Sequence, residues 1–424
     1  MEPAAKERTF FDIHLHAMDL SHPNLMAFLK RKNSWLGLKM IFGGLAEPFI
    51  KEKKLKFVNL LSVMENYIED YFCLMEYYLL NKYADPGNPN SFKVSTDATF
   101  KIGEQTLDTI LLTPLIMDFG YKNIQLPTFY DQAPRKPVIE QSEDIFRAIN
   151  KYCTCQLVQI PGAPNRDGFN TVPRPTDKHR LLEIYPFMGI NTQNYDLAEL
   201  QQMLTRFFGG YSHQRSALYA NMGQFQDTMK NVGSNFFAGI KLYPPLGFDP
   251  WPVNATELGK VQWMYRFCEE KKIPVTAHCN DGGFAVDDGA QERTHPNKWK
   301  QVLKEHPTLR LNLAHMGKQE KALIFFPRSE WREIVIELVS TYENAYADIS
   351  CLAFDDQFYE GLRDILDNHH KLEKKILFGS DFMINLQWSP SYNDYIDRFS
   401  RTPRLTEAQK IKLYQSNAYD FLFG

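Results

Sequence analysis

Three side chains near the start of the chain have the types and the spacing that a metal site needs. Asp12, His14 and His16 alternate with apolar residues over 9–16. This period of two predicts a β-strand that presents the three polar side chains on one face. Two residues along a strand span about 6.6 Å, so both imidazoles can reach one ion about 2.1 Å from each nitrogen. Alone, a His-x-His pair is a weak indication, because such pairs also occur as surface or core histidines.

Other potential ligands lie at or near the ends of further predicted strands. These are Lys241, His278, His315 and Asp381. Singly, each has an ordinary structural explanation, such as a satisfied core histidine, a surface lysine or a cap on the next loop. Together they would require a separate coincidence on every strand. We therefore expect them to gather at one face with the two histidines of the first strand.

The elements that must position these residues alternate along the chain. Predicted strands cover 9–16, 107–117, 181–190, 236–243, 273–279, 309–317, 345–351 and 375–382. Predicted helices cover 24–83, 140–152, 194–208, 257–271, 298–305, 331–342, 357–369 and 406–421. This alternation predicts an α/β protein, a (β/α)8 TIM barrel. Such barrels carry their chemistry at the C-terminal ends of the strands, which is where the potential ligands lie.

Two stretches are longer than a crossover helix requires. Residues 17–105 follow the first strand and predict a mostly helical insertion. Because this segment leaves from the strand that ends in His16, we expect it to cover the barrel mouth as a lid. Residues 118–180 follow the second strand and predict an irregular insertion. We expect residues 1–424 to form a single barrel domain that includes both.

Composition narrows the class of protein. The 424 residues are 44% hydrophobic and 23% charged, with a net charge of −3, which is typical of a globular protein and not of a nucleic-acid-binding one. No stretch is long and apolar enough for a membrane span. The six cysteines show no zinc-ribbon spacing, and the polar residues before the first strand indicate no signal peptide. We expect a cytoplasmic protein with a small-molecule substrate; homo-oligomer formation stays open.

In the order of its motifs, the chain resembles the metal-dependent amidohydrolase superfamily. Within it, the chain is most similar to the branch of aminocarboxymuconate-semialdehyde decarboxylase-like TIM-barrel hydrolases. The motifs are Asp-Ile-His-Leu-His at 12–16, Gly-Ile-Lys-Leu-Tyr-Pro at 239–244, Val-Thr-Ala-His at 275–278, Leu-Ala-His-Met-Gly at 313–317, Tyr-Ala-Asp-Ile-Ser at 346–350, Leu-Phe-Gly-Ser-Asp at 377–381 and Asn-Ala at 417–418. Most of the insertions, over 17–105 and 118–180, resemble no family that we can name.

The resemblance implies a role for each matching residue. His14, His16 and Asp381 would hold a first divalent metal, and zinc is the expected ion. In one-metal members of the named branch, the histidine at the position of His278 completes this site. The histidine at the position of His315 then acts on the substrate.

Two-metal members of the superfamily imply a different arrangement. A carboxylated Lys241 would bridge two ions, with His278 and His315 on the second. The sequence leaves both arrangements open, so the chain would bind one or two metals. It also leaves open a simpler role for Lys241, as an ammonium paired with Asp12, with Asp381 or with a substrate carboxylate.

The implied chemistry is attack by activated water. Zinc lowers the pKa of the water that it binds to about 7. Asp381 would take the proton and pass it to the leaving group, while His315 would stabilise charge on a carbonyl oxygen. Asp12 is a candidate hydrogen-bond partner that orients the metal ligands, or a buried structural carboxylate. Weaker candidates for substrate contact are Tyr243, Asn280, Asp281, Lys318 and Ser350.

Three functions fit these residues. The first is a metal-dependent hydrolase that cleaves a C–N or ester/lactone bond of a small molecule. The second is a zinc-dependent decarboxylase of a small carboxylated substrate. The third is a binding protein on a barrel that has lost its chemistry, and the intact ligand set argues against it. Lys241 favours hydrolysis over decarboxylation, because a carbamate-bridged metal pair serves attack by water.

Overall fold

The computed structural model describes residues 5–22, 58–81, 92–95, 97–119, 136–161, 168–285, 287–319 and 329–424. Most of the helix predicted over 24–83 therefore lies outside the described residues. Within them, residues 58–64 are helical, and a second helix covers Tyr71–Asn81.

The strands follow the predicted order with shorter bounds. The described strands are β1 Thr9–Leu15, β2 Phe100–Ile102, β3 Gln105–Leu107, β4 Thr109–Pro114, β5 Cys155–Gln159, β6 Phe169–Pro173, β7 Leu182–Ile184, β8 Phe187–Ile190, β9 Gly239–Leu242, β10 Val275–Ala277, β11 Leu311–Leu313, β12 Ala345–Asp348 and β13 Ile376–Leu377. Two sheets with parallel pairing have the orders β1-β4-β7 and β13-β12-β11-β10-β9-β8. The chain is thus an α/β protein with parallel sheets.

Helices separate the strands. The described α-helices are α1 Tyr71–Asn81, α2 Val138–Thr154, α3 Leu197–Phe208, α4 Arg215–Asn221, α5 Ala255–Lys271, α6 Ala290–Thr294, α7 Asn297–Glu305, α8 Glu330–Thr341, α9 Asp356–Asn368, α10 Tyr392–Arg401, α11 Glu407–Ile411 and α12 Asn417–Phe423. The final predicted helix is interrupted by a π-helical stretch, Lys412–Ser416. Several helix starts follow from the sequence, because Asp196 and Thr406 each form a capping box with the residue three positions later.

Isolated parallel bridges connect the two sheets on both sides. Leu15 pairs with Phe382, five residues after the end of β13, and Leu115 pairs with Phe187 at the start of β8. The strand predicted over 181–190 is one segment split into β7 and β8. The split falls at Pro186, which has no backbone N–H to contribute to a ladder.

The strands that carry the potential ligands are buried on both faces. Every residue of β1 is buried, and so is every residue of β4 and β9. Burial on both faces is typical of parallel sheets covered by helices. The polar side chains Asp12 and His14 are fully buried. The alternation in β1 therefore separates an apolar face from an enclosed polar one, and neither face meets solvent.

The position of α1 corrects the prediction that residues 17–105 form one lid. At its start, the hydroxyl of Tyr71 donates to the carbonyl oxygen of His16 at 2.8 Å. One and a half turns later, Glu76 accepts from the backbone N–H of Leu181, just before β7, at 3.2 Å. The helix thus runs from the ligand end of β1 to the opposite end of the sheet, as a crossover helix does.

The β2–β3 hairpin lies even further from the ligands. Directly after it, the backbone N–H of Asp108 donates to the carbonyl of Arg8 at 3.0 Å, ahead of β1. The ring of Phe100 contacts that of Phe10 at 6.5 Å. The lid prediction is therefore wrong for α1 and for this hairpin. For residues 17–70 it stays a prediction, and residues 23–57 lie outside the described ranges.

The stretch over 118–180 is more regular than predicted. It contains α2 and an antiparallel hairpin in which β5 pairs with β6, from Cys155 opposite Pro173 to Gln159 opposite Phe169. Turn-forming residues over 161–168 predict a loop, and residues 162–167 lie outside the described residues. The segments on either side of them pair as strands, which was not predicted. No helix in the described ranges has the length and hydropathy needed to cross a bilayer.

Candidate metal centre

Three side chains converge at the C-terminal ends of β1 and β13. Oδ1 of Asp381 lies 3.5 Å from Nε2 of His14 and 3.3 Å from Nε2 of His16. Ligand atoms about 2.1 Å from one ion in a tetrahedral site are about 3.4 Å apart. Among the described residues, these three form the group whose potential ligand atoms all lie within 4.8 Å of one another. The spacing fits one divalent cation.

The orientation of the two rings supports this fit. Nδ1 of His14 lies 2.9 Å from Oδ2 of Asp348, and Nδ1 of His16 lies 2.9 Å from the carbonyl oxygen of Leu115. A carbonyl can only accept, so His16 carries its proton on Nδ1. Nε2 of His14 is buried and has no hydrogen-bond partner among the described residues. A buried imidazole nitrogen left bare beside a carboxylate is the donor that a divalent metal requires.

The backbone holds Asp381 where the histidines point. Its N–H donates to the carbonyl oxygen of His14 at 2.7 Å, which ties the end of β13 to β1. Asp381 has a φ of 57°, in the left-handed region that non-glycine residues rarely occupy. Such strain persists only where surrounding contacts impose it, and it is frequent at functional sites.

His278 and His315 form a second group beside the first. Nδ1 of His278 lies 3.2 Å from Nε2 of His315. The ring of Tyr243 lies 4.5 Å from that of His278. His315 has a φ of 62°, and its backbone N–H donates to Asp348 at 3.0 Å. His278 thus faces His315 and is not part of the three-residue group.

Lys241 lies on β9, which pairs with β10, the strand that precedes His278. Its Nζ is buried without a hydrogen-bond partner among the described residues, 5.6 Å from the ring centroid of Tyr243. Burial lowers the pKa of Lys241 to about 8, although Asp348 and Asp381 partly oppose the shift. The amine is therefore easier to deprotonate than an ordinary lysine, which a carbamate requires. An ammonium is equally consistent with these contacts.

The protonation states suit metal binding. Burial lowers the pKa of His14 to about 4, so the ring is neutral at pH 7. Burial raises the pKa of Asp381, but the hydrogen bond with His16 and the nearby histidines outweigh it and hold the pKa well below its usual value. A neutral imidazole and an ionised carboxylate are the ligand forms that bind a cation.

Asp12 does not contact the rings of the two histidines in its strand. Its Oδ1 accepts from the backbone N–H of Ser380 at 2.9 Å, and its Oδ2 accepts from the hydroxyl of Tyr392 at 3.1 Å. It also accepts from the backbone N–H of His14 at 3.3 Å. Asp12 therefore anchors the backbone that carries Asp381.

Asp348 is the partner that sequence reasoning missed. It lies at the end of β12 and orients His14, the role considered for Asp12. A carboxylate at a strand end is the same signal that pointed to Asp381, so the sequence contained it. Ser350, predicted only as a weak substrate contact, instead lies against His14 at 3.0 Å and His315 at 2.9 Å.

The other predicted substrate contacts lie in loops after β9, β10 and β11. The hydroxyl of Tyr243 accepts from the backbone N–H of Phe284 at 3.0 Å. Asn280 accepts from the N–H of Gly282 at 2.7 Å. The N–H of Asp281 donates to the carbonyl of Lys318 at 3.3 Å. These bonds shape the loops, and a role in substrate contact stays a prediction.

Comparison with known proteins shows a family resemblance in the second half of the chain. Residues 223–424 match the family model Amidohydro_2, described as amidohydrolase. Over these residues, slightly less than half of the chain, the sequence is similar to the amidohydrolase superfamily. The match spans Lys241, His278, His315 and Asp381, and the structure brings His14 and His16, which precede the match, to Asp381. The match is consistent with the branch of aminocarboxymuconate-semialdehyde decarboxylase-like TIM-barrel hydrolases. Superfamily members use divalent metals, which supports a metal-dependent enzyme of hydrolase or lyase type.

The similar solved structures have low sequence identity to this chain and low TM-scores. A probable 2-pyrone-4,6-dicarboxylic acid hydrolase from Acinetobacter baumannii, with citric acid bound, is 12% identical; the alignment covers 98% of this chain and 99% of that one, with a TM-score of 0.45. An amidohydrolase from Burkholderia multivorans with bound zinc is 15% identical over 44% and 65% of the chains, with a TM-score of 0.32. A uronate isomerase from Bacillus halodurans is 11% identical over 98% and 94%, with a TM-score of 0.37. No curated protein matches the sequence.

Proposed function

We propose that this protein is a zinc-dependent hydrolase that cleaves a C–N or ester/lactone bond of a small molecule. The observation that carries the proposal is the convergence of His14, His16 and Asp381 at tetrahedral ligand spacing. The second pair, His278 and His315, lies within contact of the first group, since the rings of His14 and His315 are 4.9 Å apart. This proximity supports a single site that contains both groups.

We also propose that the strands close into a (β/α)8 barrel. The bridges Leu15–Phe382 and Leu115–Phe187 support this, because they join the two sheets at both of their open sides. In that arrangement the ligands lie at the C-terminal face, the usual location of catalytic residues in such barrels. A cytoplasmic location is proposed on the six cysteines, all of which are free.

The chain's own residues would perform the proton transfers. A divalent cation held by His14, His16 and Asp381 would supply Lewis acidity, which acidifies water and polarises a carbonyl oxygen. Asp381 is ionised and can accept a proton, then return it to a leaving group. His315 lies on the His278 side of the site. Its predicted role, to donate to an oxygen on which charge develops, would require a proton on Nε2, because Nδ1 is directed at Ser350.

One observation favours decarboxylation as a second candidate. Nζ of Lys241 has no hydrogen-bond partner in the described part of the chain. A buried ammonium that makes no hydrogen bond is costly, and a substrate carboxylate would accept one. A carboxylated Lys241 that bridges two ions would remove the same cost and would favour hydrolysis. The number of metals per chain distinguishes an ammonium that faces a substrate carboxylate from a carboxylated lysine that bridges two ions.

Elemental analysis of the purified chain, followed by a substrate screen, tests the proposal. We expect at least one zinc per chain. The variant His16→Ala should lose metal and activity together, whereas His369→Ala, at an exposed histidine, should retain both. A chain that holds no divalent metal after incubation with zinc contradicts the proposal. The screen should contain amides, lactones and carboxylated aromatics; release of carbon dioxide without hydrolysis selects the second candidate.

A further inference from the structure

The hydroxyl of Ser350 lies where three polar groups meet. Its Oγ is 3.0 Å from Nδ1 of His14 and 2.9 Å from Nδ1 of His315, and it also contacts the carboxylate of Asp348. Ser350 and Asp348 are both fully buried. His14 belongs to the candidate metal group, whereas His315 faces His278. One side chain thus contacts both halves of the site.

Counting protons fixes the direction of these bonds. A serine hydroxyl has one proton, and the Asp348 carboxylate can only accept, so the hydroxyl donates to Asp348. Its oxygen must then accept from both imidazoles. The other neighbours agree, because Nδ1 of His14 faces Oδ2 of Asp348 at 2.9 Å and Nδ1 of His315 faces the carbonyl of Ser350 at 2.9 Å. Both rings therefore carry a proton on Nδ1.

Asp348 is itself held from several directions. Oδ1 accepts from the backbone N–H of His315 at 3.0 Å and of Ser350 at 3.1 Å. Oδ2 accepts from Nδ2 of Asn312 at 2.7 Å. A carboxylate with both oxygens committed cannot rotate without breaking several buried bonds, which makes it a rigid support.

We propose that Ser350, supported by Asp348, is a positioning residue that sets the ring tautomers of His14 and His315 together. With the Nδ1 protons fixed, His14 presents a bare Nε2 towards Asp381. His315 likewise presents a bare Nε2, which accepts from Nδ1 of His278. Ser350 thus couples the metal side of the site to the other histidine pair. The effect of Ser350 on metal binding rests on the proposed metal function. The tautomers themselves do not require a bound metal.

The first test needs no substitution at Ser350. Histidine-selective ¹⁵N NMR of the metal-free full chain at pH 8 distinguishes Nδ1–H from Nε2–H rings, and His14→Gln and His315→Gln assign the signals. We expect the Nδ1–H form for both histidines. An Nε2–H ring at either position overturns the proposal. Because this measurement omits metal, it remains decisive even if the proposed metal function fails.

The second test uses paired variants with a zinc-competing chelator. Removal of an outer-shell partner typically weakens metal binding 10–100-fold, so we expect Ser350→Ala to bind zinc at least about tenfold more weakly. Its His315 Nδ1 signal should also shift, because that nitrogen loses one of its two acceptors while the backbone carbonyl of residue 350 remains. Ser350→Thr keeps the hydroxyl and should restore both readouts. Ser142→Ala removes another buried serine hydroxyl, in α2, and should change neither. Unchanged zinc affinity and an unchanged His315 signal in Ser350→Ala refute the coupling.

Discussion

Gly379 faces His14 so closely that a Cβ atom on the glycine would lie 2.7 Å from Cβ of His14. The same atom would lie 3.2 Å from Cβ of Ser350. Real Cβ atoms do not approach to such a distance, so position 379, two residues after β13 and two before Asp381, must be glycine. Its absent side chain is what allows the end of β13 to contact β1.

This close approach predicts that Gly379→Ala damages the metal site. His14 or the strand end must shift, and a shift of a ligand by a few tenths of an ångström lowers metal affinity. We expect zinc binding to weaken at least about tenfold, measured by chelator competition. Gly361→Ala is the matched control, because nothing lies within 4 Å of its Cβ position in α9. There alanine should raise the unfolding free energy by about 1 kcal/mol and leave zinc binding alone. Equal zinc affinity in both variants would contradict the argument.

Asp348→Asn tests the support of His14 directly. The amide has nearly the same shape, but its NH₂ group cannot accept from the N–H groups that now point at both carboxylate oxygens. We expect zinc affinity to fall about 10–100-fold, measured by isothermal titration calorimetry. Asp397→Asn provides a buried control, since that carboxylate accepts from the N–H of Phe92 and pairs with Arg401, away from the ligands. A larger effect at Asp397 than at Asp348 would count against the assigned role.

The potential ligands could be predicted from sequence because one local rule locates them. In parallel strands, alternation gives the face of each residue, and the strand end gives its position at the mouth. His14, His16 and Asp381 needed no more than this. The orientation of the His14 ring could not be predicted by this rule. The atom that fixes the ring belongs to Asp348, 334 residues later. No local pattern encodes such a pairing.

Elements that depend on tertiary contacts also could not be predicted from the sequence. Strands β5 and β6 are five residues each and only partly buried, so they lack a clear alternation. The turn-forming residues between them hid the hairpin. In contrast, α5 and α9 were predicted within two residues, because their helical periodicity is long and their caps are local.

A buried ion pair predicts where stability can be lost without loss of metal. Arg174 and Glu76 are 3% and 4% exposed and make two contacts, at 2.6 and 3.2 Å. Glu76 also accepts from the hydroxyl of Tyr152 at 2.8 Å, so the pair joins α1, α2 and the end of β6. We expect Glu76→Gln to lower the unfolding free energy by about 3–5 kcal/mol, because it leaves a buried guanidinium without a counter-charge.

Urea unfolding and zinc titration of that variant check the expectation. The contacts of Glu76 lie at the end of the sheet opposite to the ligands, so zinc affinity should stay unchanged. The control pair Lys300–Glu337 has side chains that are 41% and 60% exposed, and Glu337→Gln should cost less than about 1 kcal/mol. If the two glutamate variants are equally stable, burial is not what makes the Glu76 pair important.

Asp12 predicts a pH dependence of stability in the metal-free protein. Burial raises the pKa of Asp12 from 3.8 to about 7, although hydrogen bonds from Ser380, His14 and Tyr392 oppose the shift. The folded state then binds the Asp12 proton more tightly than the unfolded state does. Proton binding at Asp12 therefore adds to the free energy of unfolding. This stabilisation is fully present below about pH 4 and is lost as the pH rises through about 7, by about 4 kcal/mol in all.

The difference in unfolding free energy between wild type and Asp12→Asn isolates this contribution from other titrating groups. Between pH 5 and pH 8, we expect the wild type to lose about 3 kcal/mol relative to the variant, measured by urea unfolding with a chelator present. Tyr392→Phe keeps the buried carboxylate but removes a donor that lowers its pKa, so its loss over the same range should be at least as large. A parallel pH response of wild type and Asp12→Asn would mean that Asp12 is ionised in the folded chain. The three donors around it would then outweigh its burial.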